Sequence, residues 1–133
     1  MKNILCKLNI ILFLYIYIMN NNNKNIILYF LFGCIFSRLS MVYIAKIINI
    51  KYLPYYGIIT LIISIMFLKN YLYNFPKTGF FGNKVWWNNN RLIHSLLYFI
   101  FSIMAFYKNK YSWTILLFDT LYGLITFIFK YFK

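Results

Sequence analysis

The sequence predicts an all-α integral membrane protein: a bundle of four to five transmembrane helices, the last two forming a tight helical hairpin. Three observations predict it. Of the 133 residues, 63% are apolar and only 11% are charged, with mean hydropathy +0.68, where a soluble domain carries roughly 25% charged residues. A chain so poor in charge cannot cover its own surface in water. The apolar residues also gather into blocks of helix length with short polar connectors between them. A genome rich in A and T favours Ile, Phe, Tyr, Asn and Lys one by one, but does not account for that clustering. Finally, the basic residues stand singly between the blocks rather than along one face.

Net charge points the same way. It is formally +13, and Asp119 is the one acidic residue. In a soluble protein that balance marks a nucleic-acid footprint. Scattered between apolar blocks it suits a bilayer with anionic lipids, where each juxtamembrane Lys or Arg contributes about 1 kcal/mol. The lipid bilayer is therefore the expected partner, and nucleic acid is not. Cys6 and Cys34 lie inside apolar blocks without a C-x-x-C pattern. One His and one Asp cannot build a closed metal site within one chain.

The first apolar block covers residues 4–19 and is interrupted by Lys7 and Asn9. As a helix it rises about 24 Å, short of the roughly 30 Å hydrocarbon core. It is an anchor, a marginal span or a signal-like segment; no small-residue cleavage site precedes the Asn run at 20–23, which favours a retained anchor. Residues 1–25 are thus expected as an anchor with an Asn-rich linker, and residues 26–133 as the multi-pass domain. Residues 26–48 are long enough to span and carry Arg38 near the middle. Residues 55–68 follow Pro54, which suits a first helical turn, and residues 71–75 extend them. The last two blocks, 92–107 and 113–129, are joined by a connector at 108–111, too short for anything but antiparallel neighbours. Basic residues in the connectors place loop 69–91 and the C-terminus on the cytoplasmic side, whether or not the first block crosses.

A charge at the bilayer centre costs about 2.5–3.5 kcal/mol, so Arg38 and Asp119 each call for a reason. Arg38 is about 18 Å from one surface, and Asp119 about 9 Å from the other, so the two reach similar depth. One reading is an intramembrane ion pair between Arg38 and Asp119. Gly33, Ser37 and Ser40 on one helix, with Gly123 and Thr126 on the other, would allow the approach. The other reading has Arg38 snorkelling and Asp119 protonated. His94 shares a helical face with Tyr98 and Ser102. Hairpin register sets Asp119 opposite about residue 100, so contact with His94 is not expected and an interfacial histidine is favoured. The same geometry excludes a Ser95–His94–Asp119 triad.

The long polar–aromatic loop is the remaining candidate. Thr78-Gly-Phe-Phe-Gly-Asn lacks the G-K-[ST] of a phosphate loop. Gly79 and Gly82 read as turn glycines that bring Phe80 and Phe81 to the membrane. Trp86, Trp87 and Arg91 then form an interfacial belt. Lys84, Asn88 and Arg91, with His94 behind them, would dock lipid phosphate or an acidic loop of a partner.

Three segments resemble a known family. KTGFFGNKVWWNNNRLIHSLLYFIFSIMAF at 77–106, WTILLFDTLYGLITFI at 113–128 and FGCIFSRLSMVYIAK at 32–46 are similar to an uncharacterised family of small multi-pass membrane proteins encoded by large nucleocytoplasmic DNA viruses. The resemblance covers about residues 26–129. It departs from the family pattern at Asn83 and Ser95, where Gly is usual, and at Leu92, where Pro is usual. It implies a viral or host internal membrane and no catalysis; a protist organelle membrane is the alternative source. The function expected is structural or interaction-based, with other membrane proteins or further copies as partners and no catalytic residue, cofactor or metal. The runner-up is an ion or proton transporter that uses Arg38 and Asp119.

Overall fold

A computed structural model describes residues 21–78 and 84–131. The block at 4–19 lies outside the described residues, as do Gly79, Gly82 and the Phe80–Phe81 pair between them. Among the described residues all regular structure is helical, apart from one isolated antiparallel bridge between Thr78 and Lys84. The elements are α1 (Asn21–Tyr29), a π-helical stretch (Phe30–Ile35), α2 (Phe36–Ile47), α3 (Leu53–Leu72), α4 (Asn88–Phe106) and α5 (Trp113–Tyr131). Among the described residues three helical segments are long and apolar enough to cross a membrane: Asn25–Ile47, Leu53–Leu72 and Trp113–Tyr131. Of the five blocks expected to span, the first lies outside the described residues, and these three are the second, third and fifth. α4 is not among them, because Asn-Asn-Asn-Arg opens it and His94, Ser95 and Ser102 lie on its inner face.

Two boundaries differ from expectation for one reason. α1 takes in Asn21–Asn25, expected as linker, and α4 begins at Asn88 rather than 92. Asn costs a helix only a fraction of a kcal/mol per residue. Adding a turn to an existing helix is far easier than nucleating one. In α4 the Asn run also occupies the first turn, where polar side chains can serve unpaired N–H groups.

Residues Ser37–Lys133 form one compact unit and Met1–Phe36 another. In the latter, a Cβ added at Gly33 would meet nothing within 4 Å. The core of the larger unit gathers Val42 and Ala45 of α2, Leu53 and Tyr56 of α3, Tyr98, Phe101 and Ala105 of α4, and Leu116 of α5. Tyr56 sits edge-on to Phe101 at 5.8 Å and donates its hydroxyl to the Met41 carbonyl, 3.1 Å away.

The closest helix–helix approach is made by small residues on α3 and α4. A Cβ on Gly57 would lie 3.0 Å from Ala105 Cβ and 3.3 Å from the Ser102 carbonyl. Further along, Thr60 Oγ1 and Ser102 Oγ lie 2.9 Å apart. Ser64 donates to the Ser95 carbonyl at 2.8 Å, and Ser95 returns the bond to the Ser64 carbonyl at 2.9 Å. Positions 57, 60 and 64 face 95, 102 and 105 at three- and four-residue spacing, the seam along which antiparallel helices interlock. Small residues and hydroxyl bonds across a helix pair are how helices associate without a hydrophobic driving force. Of the small residues expected to bring α2 and α5 together, Ser37 is exposed, while Gly123 leaves room for the Arg38 guanidinium.

The C-terminal ends of α3 and α4 use the same device. At the end of α3 the Phe75 and Asn74 amides donate back to the Asn70 and Tyr71 carbonyls. At the end of α4 the Asn109 and Lys108 amides donate to Met104 and Ala105. Each pair closes a Schellman cap, whose turning residue is left-handed: Asn74 at φ 49° and Lys108 at φ 55°. Asn tolerates that region, whereas Lys carries a Cβ penalty of roughly 1 kcal/mol. Lys108→Gly is therefore expected to raise stability by about 0.5–1 kcal/mol, read as a shift in the detergent unfolding midpoint. A lower midpoint would rule out strain at this position.

Candidate functional site: a buried Arg–Asp–His cluster

Three helices each contribute one polar side chain to a single point. α5 buries Leu116, Asp119, Thr120, Gly123 and Phe127 along one face. α4 buries Arg91, His94, Ser95, Tyr98, Phe101, Ser102 and Ala105. Both follow the three- and four-residue helical period, so the inner face of each helix is fixed by spacing. Arg38, near the start of α2, reaches the same point. Its Nη1 donates to Asp119 Oδ2 at 2.8 Å and lies 3.0 Å from His94 Nδ1. His94 Nδ1 is 2.5 Å from Asp119 Oδ1. Asp119 is 0% exposed and His94 7%.

Donor counting assigns the bonds. Nδ1 cannot both donate to the carboxylate and accept from the guanidinium. The shorter contact is to the carboxylate, so Nδ1–H donates to Oδ1 and Arg38 Nη1 donates to Oδ2. The Arg38–His94 approach is then a proximity between two donors that share one carboxylate. With the imidazole neutral the three groups sum to zero charge, which is the condition for burying them. Phe67 of α3 packs against both donors: its centroid is 5.9 Å from Arg38 Cζ and 5.9 Å from the His94 ring. Tyr122 closes the other side, edge-on to His94 at 5.7 Å. Gly123 leaves the space they occupy, since a Cβ there would stand 3.3 Å from Arg38 Nη1 and 3.5 Å from His94 Cε1.

The contact between His94 and Asp119 corrects the sequence expectation. Strict hairpin pairing sets Asp119 opposite residue 100, yet Asp119 meets His94, and Tyr122 donates to Asn90 Oδ1 at 3.3 Å. The connector at residues 107–112 does not clamp the two helices in register. They are staggered, and the stagger gives a buried carboxylate two donors in place of one. An unpaired buried charge costs several kcal/mol, more than a slide along an apolar seam. His94 is accordingly a core residue and not an interfacial one.

Arg91 also departs from expectation. It was expected in the interfacial belt but is only 5% exposed. Its Nη1 donates to the Phe75 carbonyl at 2.9 Å, the Asn70 carbonyl at 3.2 Å and Asn88 Oδ1 at 2.9 Å. Asn70 carries one of the last carbonyls of α3, so a guanidinium from α4 caps the negative end of α3. Asn88 Oδ1 holds Arg91, whose guanidinium is turned inward rather than toward a partner. Trp86 is half-buried between Trp87, at 5.6 Å, and Tyr131 at the end of α5, at 6.0 Å. Its Nε1 has no hydrogen-bond partner among the described residues. Lys84 and Trp87 remain exposed.

Comparison with protein-family models, curated proteins and solved structures finds no match.

Phe67, Tyr122 and the Thr60–Ser102 and Ser64–Ser95 pairs are the site and seam residues that sequence reasoning missed. A signal for the seam was present: Gly57, Thr60 and Ser64 recur at helical spacing inside an otherwise large-residue helix. For Phe67 and Tyr122 there was none, because nothing distinguishes them from the many aromatic residues around them. Among the described residues no group of three His, Cys, Asp or Glu side chains is placed to hold a metal ion.

Proposed function

We propose that the protein is a multi-pass membrane protein with a structural or interaction role, a component of a viral or organellar membrane assembly rather than a catalyst. One observation carries this reading: beside its apolar core the larger unit buries polar and charged side chains, and it leaves large apolar ones exposed. Thr60, Arg91, His94, Ser95, Ser102, Asp119 and Thr120 are buried, while Ile58, Ile62, Ile65, Phe118, Leu121 and Ile125 are exposed. Water would drive the opposite arrangement, and lipid favours this one. α4 fits the same pattern, with Ile93, Leu96, Phe99, Ile100, Ile103 and Phe106 exposed along its outer side. It therefore counts as a fourth span in this reading, its low hydropathy coming from residues that face inward. The cluster of Arg38, Asp119 and His94 supports a structural role, because each group is satisfied by the others. Loop 69–91 and the C-terminus are assigned to the cytoplasmic side on their basic residues.

The test is alkaline carbonate washing of membranes from the native source, followed by gentle detergent extraction and native mass measurement. The protein is expected in the washed membrane pellet and then in a particle much larger than one copy. Release by carbonate would overturn the membrane reading; a lone monomer in detergent would overturn the assembly role. A second reading, proton or ion transport, draws on the contact between His94 and Asp119. It predicts flux in proteoliposomes that Asp119→Asn abolishes.

A further inference from the structure

The connector between α3 and α4 holds an unassigned cavity. It has a volume of about 380 Å³ and is lined by Asn74, Lys77, Thr78, Lys84 and Val85, within the range of small-ligand sites, roughly 300–1,000 Å³. Two backbone features tie together the two arms that carry its lysines. Thr78 and Lys84 form an antiparallel bridge, and the Val85 amide donates to the Lys77 carbonyl at 3.2 Å. Val85 is buried at 9% exposure and Asn74 is fixed by the cap of α3, so the two arms have anchored ends.

Among the described residues the charge of this cavity has no answer. Both lysines are exposed, and the one acidic side chain, Asp119, is 0% exposed and held by Arg38 and His94. A counter-ion must come from outside. Two ammonium groups, a threonine hydroxyl and an asparagine amide supply charge and donors in the combination that a phosphate anion takes. Exposed Tyr73, Phe75 and Trp87 flank the cavity in sequence, and aromatic residues of this kind settle at headgroup level.

We propose that this cavity binds a phosphate group, with Lys77 and Lys84 as the charged ligands and Thr78 and Asn74 as the neutral ones. The phosphate is that of a lipid headgroup or of a soluble anion. The lipid source rests on the membrane reading above.

The experiment uses the full chain purified in a neutral detergent. Native mass spectrometry reads the retention of short-chain phosphatidylglycerol against phosphatidylcholine, with inorganic phosphate as the soluble arm. Wild type is expected to prefer the anionic lipid, and Lys77→Gln/Lys84→Gln to lose about thirtyfold of that preference, two lysines at about 1 kcal/mol each. Lys108→Gln/Lys110→Gln removes the same charge at the opposite end of the bundle and is expected to keep it. Lys77→Arg/Lys84→Arg keeps the charge and shows that the connector still folds. Displacement of the lipid by millimolar inorganic phosphate assigns the site to soluble anions; no displacement assigns it to lipid. Equal lipid preference in wild type and Lys77→Gln/Lys84→Gln overturns the proposal, as does equal loss in the Lys108→Gln/Lys110→Gln control. Carbonate washing of the same preparation reads the membrane assignment separately.

Discussion

Asp119→Leu is expected to destabilise the protein by about 3–5 kcal/mol, the cost of removing one partner from a buried ion pair. The reason is what remains: the Arg38 guanidinium and the His94 Nδ1–H would both lose their acceptor. Arg38→Met is expected to cost less, about 1–3 kcal/mol, because His94 still donates to the Asp119 carboxylate. The double variant Arg38→Met/Asp119→Leu removes both charges and is expected to be more stable than Asp119→Leu alone. Buried ion pairs replaced by apolar residues of similar volume are often neutral in cost. Reversible unfolding in mixed micelles would measure the cycle. Costs that simply add would mean that the two side chains do not act as a pair.

Gly57→Leu is expected to separate α3 from α4. Even a methyl group at this position meets Ala105 Cβ at 3.0 Å and the Ser102 backbone at 3.3 Å. Neither neighbour is a flexible side-chain end that could swing away. Gly57→Ala is expected to cost about 1–3 kcal/mol, as overpacking does in a tight interior. For Gly57→Leu the larger side chain would also push apart the hydroxyl bonds of Thr60 with Ser102 and of Ser64 with Ser95. Gly33→Ala is the control. It meets nothing within 4 Å and replaces a poor helix former by the best one, a gain of up to about 1 kcal/mol. The readout is yield and unfolding midpoint in detergent. Equal tolerance at Gly57 and Gly33 would mean that the α3–α4 seam is not tight.

Helical character and the positions of α3 and α5 were legible in the sequence, because long apolar runs bounded by Pro54, by Asn–Lys connectors and by Trp113 leave little else for the chain to form. The oddity of Arg38 and Asp119 was legible as well, since a lone cation and a lone acid within apolar helices demand compensation. The structure sets them 2.8 Å apart. The role of Arg91 was not legible. A basic residue beside Trp86, Trp87 and three asparagines looks like part of a surface belt, and only the return of the chain through Phe75 shows that it caps α3. Loop residues Gly79 and Gly82 lie outside the described structure and stay as sequence expectations.

Composition and periodicity determined that the chain forms apolar helices, because hydropathy and helical spacing are properties of neighbouring residues. Spacing also placed His94, Tyr98 and Ser102 on one face of α4, whereas the fold decided that this face is inward and that Arg91 and Ser95 share its burial. What the tertiary structure decided is the stagger of α4 against α5, and with it the partner of His94. Stagger depends on which buried groups satisfy one another across helices that are far apart in sequence. A single carboxylate with two competing donors resolves that choice only when all three helices are in place.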